Sequence, residues 1–370
     1  MRYFNRGLSL AVQGLAICSC LVVPSVAGAD EPGFALRLGD NWRVTPYIAP
    51  GYTPEMGGLL AAGGLFSFQT SMADTVSQRS SFPLAIAYST TEALTVSVVL
   101  TSFWKEDHLR IPVDLWFKSM PDHYFGVGYD AGHNTEQSDS ATGYDRTWFW
   151  FNPRFLLKMR GALYGGVDWD INYTQADNPG TVMLADPTFQ TTGAESFNHG
   201  LGAIVQYDSR DIPVNAWRGT YVSARARFYG TALGSDNVYQ IYDFDLRYYL
   251  PLRKIGGRTL AMQLHTRIGT GTVPWAELSQ PGTPFDLRGY RWGRYRDKSM
   301  FFTLLEYRQM LVRSGDRVGP QGVVGWVGTG SIAPRVRDFT GWLPNFGVGY
   351  RLEVQPRMSL RLDVGFAEEG

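Results

Sequence analysis

Cysteine is nearly absent from this chain of 370 residues, and both cysteines lie within residues 1–29. This segment begins with two arginines, continues as an apolar run and ends on the small residues 27–29. That is the pattern of a cleaved secretory signal peptide. A membrane-spanning anchor is the alternative, but polar residues and a proline dilute the run. The exported part therefore has no disulfide and must be held together in another way.

The chain also lacks a net charge, because 34 basic residues balance 34 acidic ones. Removing residues 1–29 takes away two arginines and no acid, which leaves 32 basic against 34 acidic residues. This balance argues against a general role in binding polyanions, so no nucleic-acid partner is expected. Beyond residue 29 there is no uncharged apolar run long enough for a transmembrane helix.

Signatures of catalysis and of metal binding are missing as well. The five histidines are dispersed and show no metal-ligand spacing. No G-x-S-x-G motif appears with its partner residues in order. The stretch "FGVGYDAG" (125–132) resembles a glycine-rich nucleotide loop, but no helix is predicted after it, so we interpret its glycines as strand residues. We expect neither an enzyme nor a cofactor.

The sequence does contain alternation with a period of two residues. In "TYVSARARFYG" (220–230) and "SLRLDVGF" (359–366) apolar residues alternate with polar or charged ones. Each such strand has one apolar and one polar face. A soluble sandwich also alternates, but these segments are long, no helical period separates them, and Tyr and Trp cluster near their ends. Together with the export signal, they favour a transmembrane antiparallel up-and-down β-barrel with a polar lumen.

The barrel is predicted to occupy residues 43–370, after a short lead of residues 30–42. Short turns such as "TTEA" (90–93) and long polar loops such as 174–197 and 272–298 are expected at opposite ends, as periplasmic turns and extracellular loops. The expected strands are 43–53, 57–68, 82–90, 93–104, 107–117, 121–131, 144–157, 160–173, 198–208, 218–230, 236–250, 257–271, 299–312, 320–330, 345–355 and 358–367.

Three stretches are more specific than alternation. They are "QYDSRDIPVNAWRGTYVSARARF" (206–228), "LRGYRWGRYRDK" (287–298) with "FFTLLEYRQML" (301–311), and "FGVGYRLEVQPRMSLRLDVGF" (346–366). In this order they resemble the bacterial surface-antigen superfamily of outer-membrane barrels, which includes the barrel-assembly insertase, the translocation-and-assembly barrel and the two-partner-secretion transporters. The resemblance covers the chain from about residue 43 to its end.

The resemblance implies sixteen strands and a sixth extracellular loop that folds back into the lumen. Its tip here is Leu287-Arg288-Gly289-Tyr290. The wall partner implied for Arg288 is Glu306, with Asp363 as a possible second partner. A guanidinium–carboxylate pair in a shielded lumen is stronger than a surface pair, and its fork geometry fixes the orientation. A solvated surface loop with scattered charges is the alternative.

The first of the three stretches contains a turn motif that consists of Asp208, Arg210, Asp211, Arg218 and Gly219. Asp208 and Asp211 could be interpreted as paired catalytic carboxylates. Arg210 lies between them and the segment has the composition of a turn, so a capping or salt-bridge role is favoured.

The chain departs from the superfamily pattern in three places. Relatives often carry a second acidic partner where "GWVGTG" (325–330) has Trp326. The thirteen residues 30–42 are too few for a polypeptide-transport-associated (POTRA) domain before the barrel. The sequence stops at "RLDVGFAEEG" (361–370), whereas family barrels end with one more strand. We expect either a fragment or closure through residues 43–53, and favour the fragment.

The function implied by the resemblance is that of an integral outer-membrane barrel that assembles, inserts or translocates polypeptides or lipids. A passive pore or a structural surface barrel is the alternative. The implied partners are outer-membrane lipid, both phospholipid and lipopolysaccharide, and a periplasmic chaperone or a separate protein that delivers clients. The client and the oligomeric state stay open.

Overall fold

The structure of the chain is a computed structural model that describes residues 15–16, 36–53, 56–213, 215–254, 256–313, 317–355 and 357–368. The predicted signal peptide (1–29) lies outside these ranges except for residues 15 and 16. Across the described ranges, no helix has both the length and the apolar character needed to cross a membrane.

Short helices and nineteen strands make up the regular structure of the described ranges. The strands are β1 Leu15–Ala16, β2 Leu36–Leu38, β3 Trp42–Thr53, β4 Gly57–Phe68, β5 Ser80–Ser89, β6 Leu94–Leu100, β7 Phe103–Trp104, β8 Leu109–Arg110, β9 Val113–His123, β10 Gly143–Arg160, β11 Leu163–Asp177, β12 Glu195–Asp208, β13 Gly219–Tyr229, β14 Tyr239–Pro251, β15 Arg258–Gly271, β16 Ser299–Arg313, β17 Arg317–Ala333, β18 Asn345–Gln355 and β19 Met358–Ala367. The helices are α1 Tyr129–Asn134, α2 Thr181–Ala185 and α3 Pro187–Thr192, with 3₁₀ turns at Thr231–Leu233 and Val336–Asp338.

One antiparallel sheet contains all of these strands. Each strand from β2 to β6 pairs with the next, β6 pairs with β9, and from β9 to β19 each strand again pairs with the next. The hairpin β7–β8 lies beside this succession. The predicted all-β, antiparallel up-and-down fold is confirmed. In the part of the chain that the structure describes, β19 pairs with β18 and with the dipeptide β1, and the sheet is open between β19 and β2.

Burial along the strands is inverted relative to a soluble protein. On β13 the apolar Phe228 is 48% exposed, whereas its neighbour Arg227 is 5% exposed. The charged Asp243 and Glu306 are buried on the inner face, and the apolar Val348 is exposed on the outer face. This distribution suits lipid outside and a polar lumen inside.

The predicted strands 107–117 and 121–131 are wrong. The structure has one long strand there, β9, preceded by the two-residue β8 and followed by helix α1. The strand ends because Gly126 and Gly128 have φ angles of +92° and +100°, outside the extended region. Gly126 and Gly128 are therefore loop residues and Gly132 lies in helix α1, so the expectation that these glycines are strand residues is wrong. The other predicted strands lie within four residues of observed ones at each end.

Because one strand replaces two predicted strands, every connection before β9 lies at the end of the sheet opposite to the expected one. The turn at 90–93 leads into Leu94, which pairs with Ser119 near the end of β9. It therefore lies at the same end of the sheet as the loops 178–194 and 272–298, and its expected place at the opposite end is wrong. We call this end the upper end. The lower end carries the connections 69–79, 101–112 and 161–162 and the turns that follow β12, β14, β16 and β18.

Candidate functional site

Loop 272–298 joins β15 to β16 and is the sixth connection at the upper end, counted from the turn after β3. Its tip lies inside the space that the sheet encloses. Leu287 is fully buried, and Arg288 and Tyr290 are 6% and 5% exposed. Leu287 and Tyr290 pack against Phe302 of β16 in one apolar cluster, and the Tyr290 hydroxyl donates to the Pro344 carbonyl oxygen at 2.9 Å. This burial does not fit a solvated surface loop.

Arg288 contacts two carboxylates on different strands of the wall. Its Nη2 donates to Oε2 of Glu306 on β16 at 2.7 Å, and its Nη1 donates to Oδ2 of Asp363 on β19 at 3.0 Å. All three residues are buried. One guanidinium therefore bridges β16 and β19 from inside through two charge-assisted hydrogen bonds. Both acids that the sequence singled out as partners of Arg288 lie within hydrogen-bond distance of it.

The third contact of Arg288 is aromatic. Its guanidinium carbon lies 3.6 Å from the ring centroid of Trp326, which is on β17 and 5% exposed. A desolvated cation over the face of a tryptophan ring is attracted by the ring quadrupole. At the position where the resemblance implied an acid, the chain offers the negative face of an indole.

Gly289 brings the backbone of the tip against β19. Its φ is +114°, and a Cβ at this position would lie 3.0 Å from the carbonyl carbon of Phe366. A Cβ on Gly365 would lie 2.7 Å from the Arg288 carbonyl oxygen, which also accepts a hydrogen bond from Asn345 Nδ2 at 3.1 Å. Glycine on both sides of the contact permits this approach.

Further arginines surround the two wall acids. Glu306 also accepts from Arg308 Nε at 2.7 Å, and Asp363 accepts from Arg361 Nη2 at 2.8 Å and from Arg351 Nη1. Sequence reasoning missed these three arginines as site residues. For Arg308 and Arg361 a signal was present, because each lies two residues from an acid of the site and therefore on the same face of its strand. We call the whole set the Arg288 cluster: Arg288, Glu306, Arg308, Arg351, Arg361 and Asp363.

Loop 124–142 packs against loop 272–298 near residues 295–296. The Gly128 amide donates to the Arg296 carbonyl oxygen at 2.9 Å, and the rings of Tyr129 and Tyr295 stack with centroids 5.6 Å apart. A Cβ on Gly132 would lie 2.8 Å from the Tyr295 ring. The glycine-rich stretch "FGVGYDAG" therefore docks on the sixth loop, because its glycines leave room for that loop's aromatic side chain and backbone.

Two charged residues near the end of loop 272–298, Arg296 and Asp297, are buried. Arg296 is fully buried, with its guanidinium carbon 4.3 Å from the Tyr124 ring centroid, and it donates to the Gly293 carbonyl oxygen. Asp297 is 3% exposed. Burial raises the pKa of the Asp297 carboxyl to about 6, against the lowering effect of the Lys298 amide and ammonium.

The turn motif lies at the lower end. Arg210 donates to Asp208 Oδ1 at 2.8 Å, and Arg110 donates to Asp208 Oδ2 at 2.9 Å. The Asp211 carboxylate accepts the backbone N–H of Trp217, across the turn, at 3.0 Å. Asp208 thus pairs with two arginines, whereas Asp211 caps the turn and also accepts from Arg357.

Of the remaining residues of the motif, Arg218 ends the turn and Gly219 begins β13. Arg218 lies exposed at the surface. Gly219 has a φ of +110°, and a Cβ there would lie 2.4 Å from the Ser209 carbonyl oxygen. Its positive φ and the nearby backbone of Ser209 therefore require glycine.

Arg357 connects this turn to the last hairpin of the sheet. Arg357 lies in the turn between β18 and β19, and its Nη2 donates to Asp211 Oδ2 and to the Asn215 carbonyl oxygen, each at 2.8 Å. Its guanidinium carbon lies 3.5 Å from the Trp217 ring centroid. Ala216 is 1% exposed, so turn 209–218 folds inward beneath the lumen. Sequence reasoning missed this contact, because its two sides are far apart along the chain.

A single antiparallel sheet with an apolar outer face, a polar interior and a loop clamped inside defines a membrane β-barrel with an internal plug. The pattern of the Omp85 superfamily domain matches residues 70–332. The chain therefore belongs to the Omp85 superfamily, which confirms the resemblance found in the sequence. Membership of this superfamily implies an outer-membrane location.

A solved structure shows the same fold at low sequence identity. BamA from Haemophilus ducreyi lacking POTRA domains 1–3 is similar with 12% identity and a TM-score of 0.53, over 88% of this chain and 70% of that one. CdiB from Acinetobacter baumannii matches with 10% identity and a TM-score of 0.49, over 89% of this chain and 60% of that one. Comparison with curated protein sequences finds no match.

Proposed function

We propose that this protein assembles, inserts or translocates polypeptides or lipids at the outer membrane, and that its sheet opens beside β19. The proposed partners are phospholipid, lipopolysaccharide and a periplasmic chaperone or delivery protein. The observation that carries the proposal is the contact between Arg288 and Asp363, because it holds the strand at the open side of the sheet from within the lumen.

Two internal contacts hold β19 in place from within the lumen, while the described pairing on its outer edge is limited to two residues. At the upper end β19 is held by the tip of loop 272–298, and at the lower end Arg357 binds Asp211 just before β19 begins. The described partner of the outer edge is the dipeptide β1, within the predicted signal peptide. In the described ranges this pairing covers two residues, and a sparsely paired edge is a template for another strand.

The filled lumen argues against a passive pore. A cavity of about 660 Å³ lies inside the sheet, with Phe285 and Asp286 of the tip loop on its upper side and Asn215 and Trp217 of the inward turn on its lower side. A route between strands leaves both segments in place.

Depletion of the protein in its native host tests the proposal. We expect misassembled outer-membrane proteins or a loss of lipid asymmetry, measured by proteomics of the outer-membrane fraction and by lipid labelling at the cell surface. An unchanged outer-membrane proteome together with unchanged lipid asymmetry would discard the proposal. Steady conductance of the purified barrel in planar bilayers would instead favour the pore.

A further inference from the structure

The outward, lipid-facing rows of β14 and β15 end beside basic residues at the lower end. Residues of a strand alternate between its two faces, so Arg258, the first residue of β15, belongs to the outward row of that strand. On β14 the outward row of the exposed Tyr248 continues to Leu252, which is exposed just after the strand, and Arg253 and Lys254 come next. Positive side chains therefore lie at the level where the apolar outer face of the sheet ends.

A cavity of about 610 Å³ lies at this level, between the turn after β12 and the turn after β14. Three basic residues of these turns line it, and we call them the lower-rim cations: Arg218, Arg253 and Lys254. The two turns are fixed against each other. Gly256 lies against the Trp217 ring with no room for a Cβ, and Thr259 Oγ1 donates to the Trp217 carbonyl oxygen at 3.1 Å. The cavity is therefore built from packed segments that hold the three cations around one space.

The described acids near this cavity do not neutralise the lower-rim cations. Asp211 is the one acid among the described lining residues, and its carboxylate accepts from Arg357 Nη2 at 2.8 Å and from the Trp217 backbone N–H at 3.0 Å. Glu353 of β18 also faces Arg357, so these two acids exceed that arginine by one negative charge. The three cations outweigh it by two. Nη1 of Arg253 is buried and has no hydrogen-bond partner among the described residues.

We propose that the lower-rim cations bind the headgroup phosphate of an anionic phospholipid. Placing loop 272–298 on the extracellular side, as the resemblance implies, puts the lower end at the periplasmic leaflet. Basic side chains at the membrane surface attract anionic headgroups, and a guanidinium matches two oxygens of a phosphate. The exposed Leu252 beside the cavity offers apolar contact to the rest of the lipid, which favours a lipid over a free ion. This inference rests on the phospholipid partner of the proposed function, and it does not depend on any activity toward polypeptides.

Native mass spectrometry of the full-length protein, delipidated in detergent and titrated with phosphatidylglycerol, tests the site. The lipid adduct is expected to saturate, and Arg218→Gln, Arg253→Gln and Lys254→Gln are each expected to weaken binding about fivefold, the effect of one basic residue near an anionic lipid. Arg160→Gln is the matched control, because Arg160 is an exposed arginine at the lower end of β10 that does not line the cavity, and it should leave affinity unchanged. Heat-modifiable gel mobility shows that each variant is folded.

Two further ligands identify what the site recognises. Phosphatidylcholine carries the same phosphate with a compensating positive charge, so it is expected to bind about fivefold more weakly or less. A large excess of inorganic phosphate is expected to leave the phosphatidylglycerol adduct in place. Equal affinity for the two lipids, displacement by inorganic phosphate, or unchanged affinity in the Arg218→Gln/Arg253→Gln/Lys254→Gln triple variant would overturn the proposal. Any of these results would leave the depletion test of the proposed function unaffected, because depletion measures the outer membrane and not this binding.

Discussion

Substitution of Arg288 by alanine is expected to destabilise the folded barrel severely. The change removes hydrogen bonds of 2.7 Å to Glu306 and 3.0 Å to Asp363 and the contact of 3.6 Å with the Trp326 ring. A hydrogen bond to a charged group contributes about 1.5–3 kcal/mol, and a desolvated cation–π contact about 2 kcal/mol. These contributions share one guanidinium and do not add fully.

The two acids keep other arginine partners after the change, which limits the cost. Glu306 retains Arg308, and Asp363 retains Arg351 and Arg361. We therefore expect Arg288→Ala to lower the free energy of unfolding by about 3–5 kcal/mol, the range for breaking a buried ion pair. Urea titration of the detergent-folded protein, followed by heat-modifiable gel mobility, measures this free energy.

A double-mutant cycle measures the interaction between Arg288 and Glu306 separately from their other contacts. Arg288→Ala, Glu306→Ala and the double variant should show a coupling of about 0.5–3 kcal/mol, because the residues are in contact. Arg337→Ala removes an exposed upper-end arginine and should change stability by less than about 0.5 kcal/mol. Strictly additive losses of stability in Arg288→Ala and Glu306→Ala would refute the contact between these two side chains.

Three further predictions concern the same loop. Trp326→Leu should lower stability in the parent protein and less so in Arg288→Ala, with a coupling of about 0.5–2 kcal/mol by the same urea assay; equal losses would exclude the cation–π contact. Gly289→Ala should cost about 1–3 kcal/mol, because φ is +114° and β19 is close, whereas Gly234→Ala, also at positive φ but with open space around it, should cost less; equal costs would contradict the close approach. Asp297→Asn should raise stability at pH 8 and give no gain at pH 4, because burial raises the pKa of this carboxyl from 3.8 to about 6 and ionisation in that window penalises the fold; a gain independent of pH would exclude this.

The sequence alone was sufficient for the fold class. Alternation with period two depends on which solvent each side chain faces, and it is written in neighbouring residues such as Arg227 and Phe228. The tip of the sixth loop and its two acids were also accessible, because Arg288, Glu306 and Asp363 lie in stretches that resemble the superfamily. Most strand bounds could be predicted as well, because they depend on the same alternation between neighbouring residues.

Tertiary structure decided what depends on residues distant along the chain. The segment 107–131 alternates well enough for two strands, yet positive φ at Gly126 and Gly128 ends β9 and lets the following loop dock on Tyr295. That single difference sets the end at which every earlier turn lies. Arg357 meets Asp211 across the lower end, and Trp326 lies under Arg288 instead of an acid. The alternation of apolar and polar residues determines the two faces of a strand. The partners that meet inside the lumen are fixed only when the sheet curves around them.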